Sequence, residues 1–294
     1  MLEKLKAAFI AKTVHTDQIP CRLCGGQARH AFDKIVLRKH KVRFYRCTTC
    51  GSVETQKPFW LDEAYSIPGV HVDVGIASRT IKNWVALATL FTGVGLNGSD
   101  LVVDFGGATG LLARLLRDVG YNAKSFDKYA VPSFTSYFNA DHPQESRPRV
   151  VTAFEVFEHF EEPRQELTSL LAHGPDLVVF TTWFCDGQPD DWIYYAEDCA
   201  QHIFLYTQSA MRNFANAQGY DLVLTSYFHV LVRKQATAAI RDRLAQFTAN
   251  AQNLAGAKAR ELFESVALGN GHMEADYKVA EALFKNDLDK RKRG

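Results

Sequence analysis

Apolar and polar positions change period sharply at one place in this chain. Leu101-Val-Val-Asp-Phe105 reads as a buried strand, Gly106, Gly107 and Gly110 follow at once, and Leu111, Leu112, Leu115 and Leu116 then recur at helical spacing. A strand, a glycine-rich turn and an amphipathic helix in that order open a doubly wound, Rossmann-like α/β sheet, whose ligands meet the carboxyl ends of its strands. The same reading predicts strands at Ala123–Phe126, Val150–Phe154 and Leu177–Thr181, the last an apolar run of the kind covered on both faces. Closing strands are expected at Leu222–Tyr227 and His229–Arg233, with helices over Arg79–Phe91 and Ser209–Gln218, the latter stopped by Gly219. Residues 236–294 read as polar, Ala-rich helices broken at Gly256 and Gly269–Gly271, with Lys290–Arg293 as a frayed basic end.

Size and composition narrow the picture. The 294 residues allow a large domain with a smaller one beside it. The expected division is a helix and zinc ribbon over 1–57 (the helix and its linker at 1–19), the α/β domain over 58–235 and a helical extension over 236–294. A net charge of +1 gives no global pull toward nucleic acid or acidic membrane. No apolar run approaches the ~20 residues that span a bilayer. Met1–Lys12 has too short an apolar centre for a secretory signal, so a cytoplasmic location is expected.

Four of the six cysteines form two pairs, Cys21-x-x-Cys24 and Cys47-x-x-Cys50, each followed by a glycine, Gly25 or Gly51. A two-residue spacer turns both thiolates toward one ion, and two such pairs complete a tetrahedral zinc site. With all four positions filled by sulfur, the zinc is structural. Between the pairs, Arg38, Lys39, His40, Lys41 and Arg43 form either a solvated hairpin face or a contact for an anionic ligand. Cys185 and Cys199 share no spacing with the ribbon, and neither reads as a catalytic thiol.

A second constellation follows the strand at 150–154. If the chain turns helical there, Glu155, Glu158 and His159 share one face at i, i+3 and i+4. His202 offers a further imidazole. Together these four suit a divalent ion such as Mg²⁺ or Mn²⁺, or else they border a cofactor without metal. Glu158, His159 and His202 are the candidate catalytic residues. Trp183, Trp192, Tyr194, Tyr195, Phe204 and Tyr206 crowd the same region as cleft wall or as core, and Asp186, Asp190 and Asp191 lie in a loop able to cap an acceptor. Tyr65 is placed to reach the cleft from the N-terminal side.

Three resemblances attach to these residues. Asp104-x-Gly106-x-Ala108-x-Gly110 resembles motif I of class I S-adenosylmethionine (SAM) methyltransferases, with Ala108 where that family often has glycine. The resemblance implies Asp104 by the methionine part of SAM, Gly106, Gly107, Ala108 and Gly110 around it, and Asp127 on the ribose. It also implies Lys128 or Tyr129 by the adenine, and Phe154 and Glu155 bordering the cofactor. Phe154-Glu155-x-x-Glu158-His159 resembles the motif of ubiquinone-pathway O-methyltransferases and small-RNA 2′-O-methyltransferases, in which it is implicated in divalent-metal binding. A four-cysteine module before a SAM domain, with a late [Glu/Gln]-His-x-Phe motif, is similar to bacterial sugar methyltransferases over about residues 20–235. Deoxysugar C-methyltransferases are among these; their motif usually reads Glu-His, where this chain has Gln201-His202.

The resulting expectation is SAM-dependent O-methylation of a small acceptor, a sugar or sugar-nucleotide hydroxyl. Sugar C-methylation and metal-assisted RNA 2′-O-methylation stand as alternatives, and a non-enzymatic zinc-ribbon nucleic-acid module as a reading of another class. Nucleic acid and membrane are disfavoured as partners, and the sequence is silent on oligomeric state.

Overall fold

The computed structural model describes residues 16–66, 75–140, 147–267 and 271–293. The helix expected over 1–19 lies largely outside them, and within them Gln18–Pro20 is a strand, β1. It begins an antiparallel sheet with β2 (Gln27–Val36), β3 (His40–Cys47) and β4 (Val53–Thr55). Period-two burial explains the hairpin: Val42 and Phe44 are buried while Lys41 is exposed and Arg43 half-exposed. Two helices, α1 (Leu61–Ser66) and α2 (Ile76–Val94), lead to the second sheet.

That sheet has six strands. β5 (Leu101–Phe105), β6 (Asn122–Phe126), β7 (Val150–Phe154) and β8 (Leu177–Thr181) run parallel, and the hairpin of β10 (Tyr220–Leu224) and β11 (His229–Arg233) adds antiparallel to β8. The order is β10-β11-β8-β7-β5-β6. Between its strands lie α3 (Leu111–Asp118), α4 (Pro163–Leu171) and α5 (Gln208–Ala217). Both faces are covered, which is why the strands read as apolar runs. Val102, Val150 and Val179 pack with Leu87, Phe91 and Leu116, while Val151, Val178 and Phe180 pack with Leu167, Leu171 and Met211. β5 has β6 on one side and β7 on the other, so the strand order reverses there and a crevice opens at the carboxyl ends.

The remaining strand, β9 (Phe204–Leu205), does not join this sheet. It pairs with β4, Val53 opposite Leu205 and Glu54 opposite Phe204, and becomes the fifth strand of the N-terminal sheet. Four buried ribbon residues, Val36, Val42, Phe44 and Val53, accordingly cluster with Tyr195, Ile203 and Leu205.

Several sequence expectations are corrected here. The strand expected over Leu222–Tyr227 ends at Leu224, because Thr225 Oγ1 accepts the amides of Tyr227 and Phe228 and forms a turn. Gly256 is no break: α6 runs from Ala238 to Ala267, and the burial of Ile240, Leu244, Phe247 and Leu262 on it outweighs the ~1 kcal/mol that a helical glycine costs. The basic end, expected to fray, lies within α7 (Met273–Arg293). Among the described residues no helix is long and apolar enough to cross a membrane.

The start of α7 is docked on α3 by a buried ion pair. Asp276 accepts from Arg117 Nη2 at 2.5 Å and Nε at 2.6 Å, and from Arg114 Nη1 at 2.8 Å, with Asp276 and Arg117 both nearly inaccessible. Removing one partner of such a pair leaves an uncompensated buried charge. Asp276→Asn is expected to lower unfolding free energy by about 3–5 kcal/mol in urea denaturation.

Candidate functional site

Four sulfurs converge in the ribbon. Cys21 and Cys50 Sγ lie 3.8 Å apart, Cys24 and Cys47 Sγ 3.5 Å, and all four fall within 4.8 Å of one another. No disulfide links them. A tetrahedral zinc with bonds of about 2.3 Å needs sulfur–sulfur edges of about 3.8 Å, so the cluster fits that ion. Gly25 and Gly51 each take φ +76°, the left-handed turn that lets the chain double back around the sulfurs. Backbone amides of Gly26, Thr49 and Cys50 approach the sulfurs at 3.3–3.4 Å, donating toward charge that thiolates would carry. The hairpin residues Arg38, Lys39, His40, Lys41 and Arg43 each have an acidic partner, one of them shared. Arg38 pairs with Asp198, Lys39 and His40 with Glu63, Lys41 with Asp33 and Arg43 with Asp17.

At the switch point a cleft of about 1660 Å³ runs from the glycine turn after β5 to the loops after β7 and β8. Its first end is the expected cradle. Gly106, Gly107, Ala108, Asp127, Lys128 and Tyr129 line it. A Cβ on Gly107 would fall 2.4 Å from Ser125 Oγ and 2.6 Å from Asp104 Oδ2, so only glycine lets the backbone lie over this buried acid. Asp104 accepts from Thr152 Oγ1 at 2.7 Å, its direct partner in the β5–β7 register. Burial pushes its carboxyl up to about 7, against the pull of Thr152. Asp127 Oδ2 accepts from Ala108 N at 2.9 Å, and Oδ1 from Tyr129 N and Ala130 N at 2.8 Å, tying the two loops of the cradle together. Tyr129 stacks on Tyr65, centroids 4.4 Å apart. Gly110 does not line the cleft; a Cβ there would meet Thr135 Oγ1 at 2.2 Å, so its role is packing of the turn.

The other end holds the acids and imidazoles, but not as a helical face. Glu155 takes φ +54° at the end of β7, and only Phe157–His159 coil, as a single 3-10 turn, because Phe157 inserts fully into the core. Glu155 and Glu158 are joined instead through Tyr194, whose hydroxyl lies 2.9 Å from Glu155 Oε2 and 2.5 Å from Glu158 Oε1. Glu158 is fully buried, its Oε2 has no hydrogen-bond partner, and burial beside Glu155 pushes its carboxyl up to about 8. Glu158, His159 and His202 each offer a ligand atom within 4.8 Å of the others; Glu155 is not in that set. His202 Nδ1 lies 2.6 Å from the Tyr194 carbonyl, so this nitrogen donates and Nε2 keeps its lone pair. Burial holds both imidazoles below their usual range, His159 at about 3.

The aromatic set divides. Tyr195, Phe204 and Tyr206 are core and Trp192 is half-buried beside them, whereas Trp183 and Tyr194 stack at 5.1 Å and face the cleft. Asp186, Asp190 and Asp191 do not line it; Asp186 instead accepts the Gln208 amide at the start of α5. Cys185 is buried, which pushes its thiol up to about 11, and Cys199 lies at the cleft with its sulfur 3.5 Å from the Ala196 carbonyl. Gln201, at the position usually acidic in sugar C-methyltransferases, donates its amide to the Ala64 carbonyl at 3.1 Å, which a carboxylate would not do. Sequence reasoning missed two partners. Thr152 was legible only through the strand register, and the bridging role of Tyr194 left no mark in the sequence.

The cysteine geometry has a direct check. Protein purified without chelator is expected to contain about one zinc per chain by elemental analysis, and Cys47→Ser to lose it. Stoichiometric disulfides in place of zinc would refute the assignment.

Residues 82–225, just under half of the chain, match the family described as methyltransferase domain. Among curated proteins none matches. Among solved structures the chain is similar to the magnesium protoporphyrin IX methyltransferase of Synechocystis PCC 6803 with bound SAH, at 15% identity over 59% of this chain and 92% of that one, TM-score 0.41. It is also similar to the plantazolicin methyltransferase BamL, at 9% identity over 72% and 88%, TM-score 0.43. A third is the 1,6-didemethyltoxoflavin-N1-methyltransferase of Burkholderia thailandensis, at 12% identity over 68% and 97%, TM-score 0.41. At such identities and scores these likenesses say nothing of the acceptor. Residues 82–225 thus carry a methyltransferase domain on the Rossmann-like sheet, and the chain is an enzyme, a SAM-dependent methyltransferase.

Proposed function

We propose that this enzyme methylates a hydroxyl of a sugar or sugar nucleotide. One observation carries the reading: a single cleft joins the glycine cradle to an aromatic platform and an unprotonated imidazole nitrogen. SAM, when bound, supplies an activated methyl group. Asp104 offers a carboxylate for its ammonium. Asp127 Oδ2, with one amide already accepted, keeps a lone pair for a ribose hydroxyl. Trp183, half exposed and stacked on Tyr194, offers the flat apolar face that suits a sugar ring. His202 Nε2 accepts the proton of the acceptor hydroxyl, with Nδ1–H held by the Tyr194 carbonyl. The engagement of Gln201 with Ala64 favours O- over C-methylation, and the paired hairpin cations count against a nucleic-acid acceptor.

A second reading is favoured by the unpartnered Oε2 of Glu158 beside His159 and His202. These three residues would hold a Mg²⁺ or Mn²⁺ ion, which would lower the pKa of the acceptor hydroxyl.

Mass spectrometry of SAM incubations with a panel of nucleotide sugars is expected to find a singly methylated product. His202→Ala should lower kcat by about 100-fold or more while leaving SAM affinity intact. An inert sugar panel alongside methylation of an RNA 3′-terminal ribose would sink the acceptor assignment. Glu158→Gln separates the two readings: with metal, turnover supported by Mg²⁺ or Mn²⁺ collapses at constant zinc content, and without metal the zinc-loaded variant turns over equally with or without added Mg²⁺ or Mn²⁺.

SAM binding should also depend on pH through Asp104. In the free protein its carboxyl titrates at about 7, above the unfolded value, because burial penalises the charged form. A bound ammonium favours the carboxylate, so below pH 7 a proton must leave on binding. Affinity is therefore expected to fall roughly tenfold per unit as pH drops below 7 and to level off above it. Calorimetry on Asp104→Asn should show weaker binding without that slope; an unchanged slope would exclude Asp104 as its source.

A further inference from the structure

Arg22 stands inside the zinc knuckle, between Cys21 and Cys24, and its side chain reaches from the ribbon into the α/β domain. Nε donates to Glu54 Oε2 at 2.7 Å, and the Arg22 backbone N–H lies 3.3 Å from both Glu54 oxygens. Nη2 donates to the Ile203 carbonyl at 2.7 Å and to the Thr55 carbonyl at 3.3 Å, and Nη1 donates to the Glu161 carbonyl at 2.9 Å. Ile203 directly follows His202, and Glu161 lies two residues after His159. The two segments also touch each other, Ile203 N donating to the Glu158 carbonyl at 2.9 Å. The guanidinium lies 5.6 Å from the Phe204 ring centroid. Glu54 is wholly inaccessible; burial raises its carboxyl pKa and Arg22 opposes that.

The chemistry of this position calls for arginine. One planar fork reaches a buried carboxylate and three carbonyls on separate segments. A lysine ammonium is a point charge with three donors and does not span that set. The backbone of residue 22 is in turn set by the turn that the cysteines close around their ion, so the knuckle fixes where the fork begins.

We propose that Arg22 is a positioning residue for methyl transfer. It holds the His159 and His202 segments at one spacing and couples that spacing to the folded zinc knuckle. This rests on the reading that His202, with His159 and Glu158 beside it, serves the acceptor. On this account the ribbon is a brace for the acceptor end of the cleft, and SAM binding at the far end is independent of it.

The test uses the zinc-loaded full chain with Arg22→Lys and Arg22→Ala. The lysine variant keeps the charge against Glu54 and carries the test should the alanine variant not fold. SAM affinity by calorimetry is expected to stay within about twofold of wild type, the range for a change with no contact to the ligand. Zinc content should remain one per chain. Both variants should shift the NMR titrations of His159 and His202. With the acceptor, kcat should fall about 10- to 100-fold, the cost of roughly 1 Å of misplacement. Millimolar guanidinium should restore part of the turnover of Arg22→Ala. Wild-type histidine titrations and kcat in the lysine variant would overturn the proposal, as would shifted titrations with unchanged kcat. A kcat loss that only tracks the unfolded fraction and ignores guanidinium would overturn it too. Failure of the base assignment is separately visible, since His202→Ala would then turn over normally whatever Arg22 does to the titrations.

Discussion

The pairing of β4 with β9 joins two chemistries that the chain order keeps far apart. Val53 and Glu54 come from the cysteine hairpin; Phe204 and Leu205 come from the segment that carries His202. A short antiparallel ladder between them makes Ile203 a shared residue, its carbonyl accepting from Thr55 N and Arg22 and its amide donating to Glu158. Each of these backbone groups is buried, and an unpaired one would cost about 1–3 kcal/mol. The histidine end of the cleft is therefore tied to the ribbon by backbone hydrogen bonds. The glycine cradle depends on a different element, the β5 turn over Asp104, and among the described residues no ribbon residue lines it.

Buried acids recur at the places where this fold does something beyond packing. Asp104, Glu54 and Glu158 are all nearly or fully inaccessible, and each is met differently. Glu54 has a guanidinium, Asp104 a single threonine hydroxyl, and Glu158 a tyrosine hydroxyl on one oxygen with nothing on the other. Burying a carboxylate without a full set of partners is costly, and the pKa rises until the neutral form or an incoming cation answers it. Asp104 lines one end of the cleft; Glu158 lies buried behind the other, beside His159 and His202, which do line it. A ligand ammonium would answer the first. For the second, a proton and a metal ion are the two solutions.

The hairpin cations show how charge in a sequence is reassigned by folding. Arg38, Lys39, His40, Lys41 and Arg43 read together as a basic patch. In the structure their partners come from Asp17, Asp33, Glu63 and Asp198, the last of them 160 residues from its arginine. Paired exposed ions contribute little to stability, but they remove the concentrated positive face that phosphate recognition requires.

Much of this architecture was legible from residue order alone, because local physics sets it. The apolar run of β5, the glycines behind it, the leucine spacing of α3 and the strands at 150–154 and 177–181 are short-range patterns, and they appear at or within a residue of the expected positions. The four cysteines too announce their site by spacing, and Asp104 and Asp127 by their distance from the glycines. What only the tertiary structure decided is long-range. Glu155 and Glu158 meet through Tyr194 rather than along a helix, since Phe157 takes the core position that a continued helix would have displaced. Gln201, Thr152 and Arg22 acquire their roles from partners 137, 48 and up to 181 residues away. No periodicity records such contacts, because a hydrogen bond between distant segments leaves the local hydrophobic pattern of each unchanged.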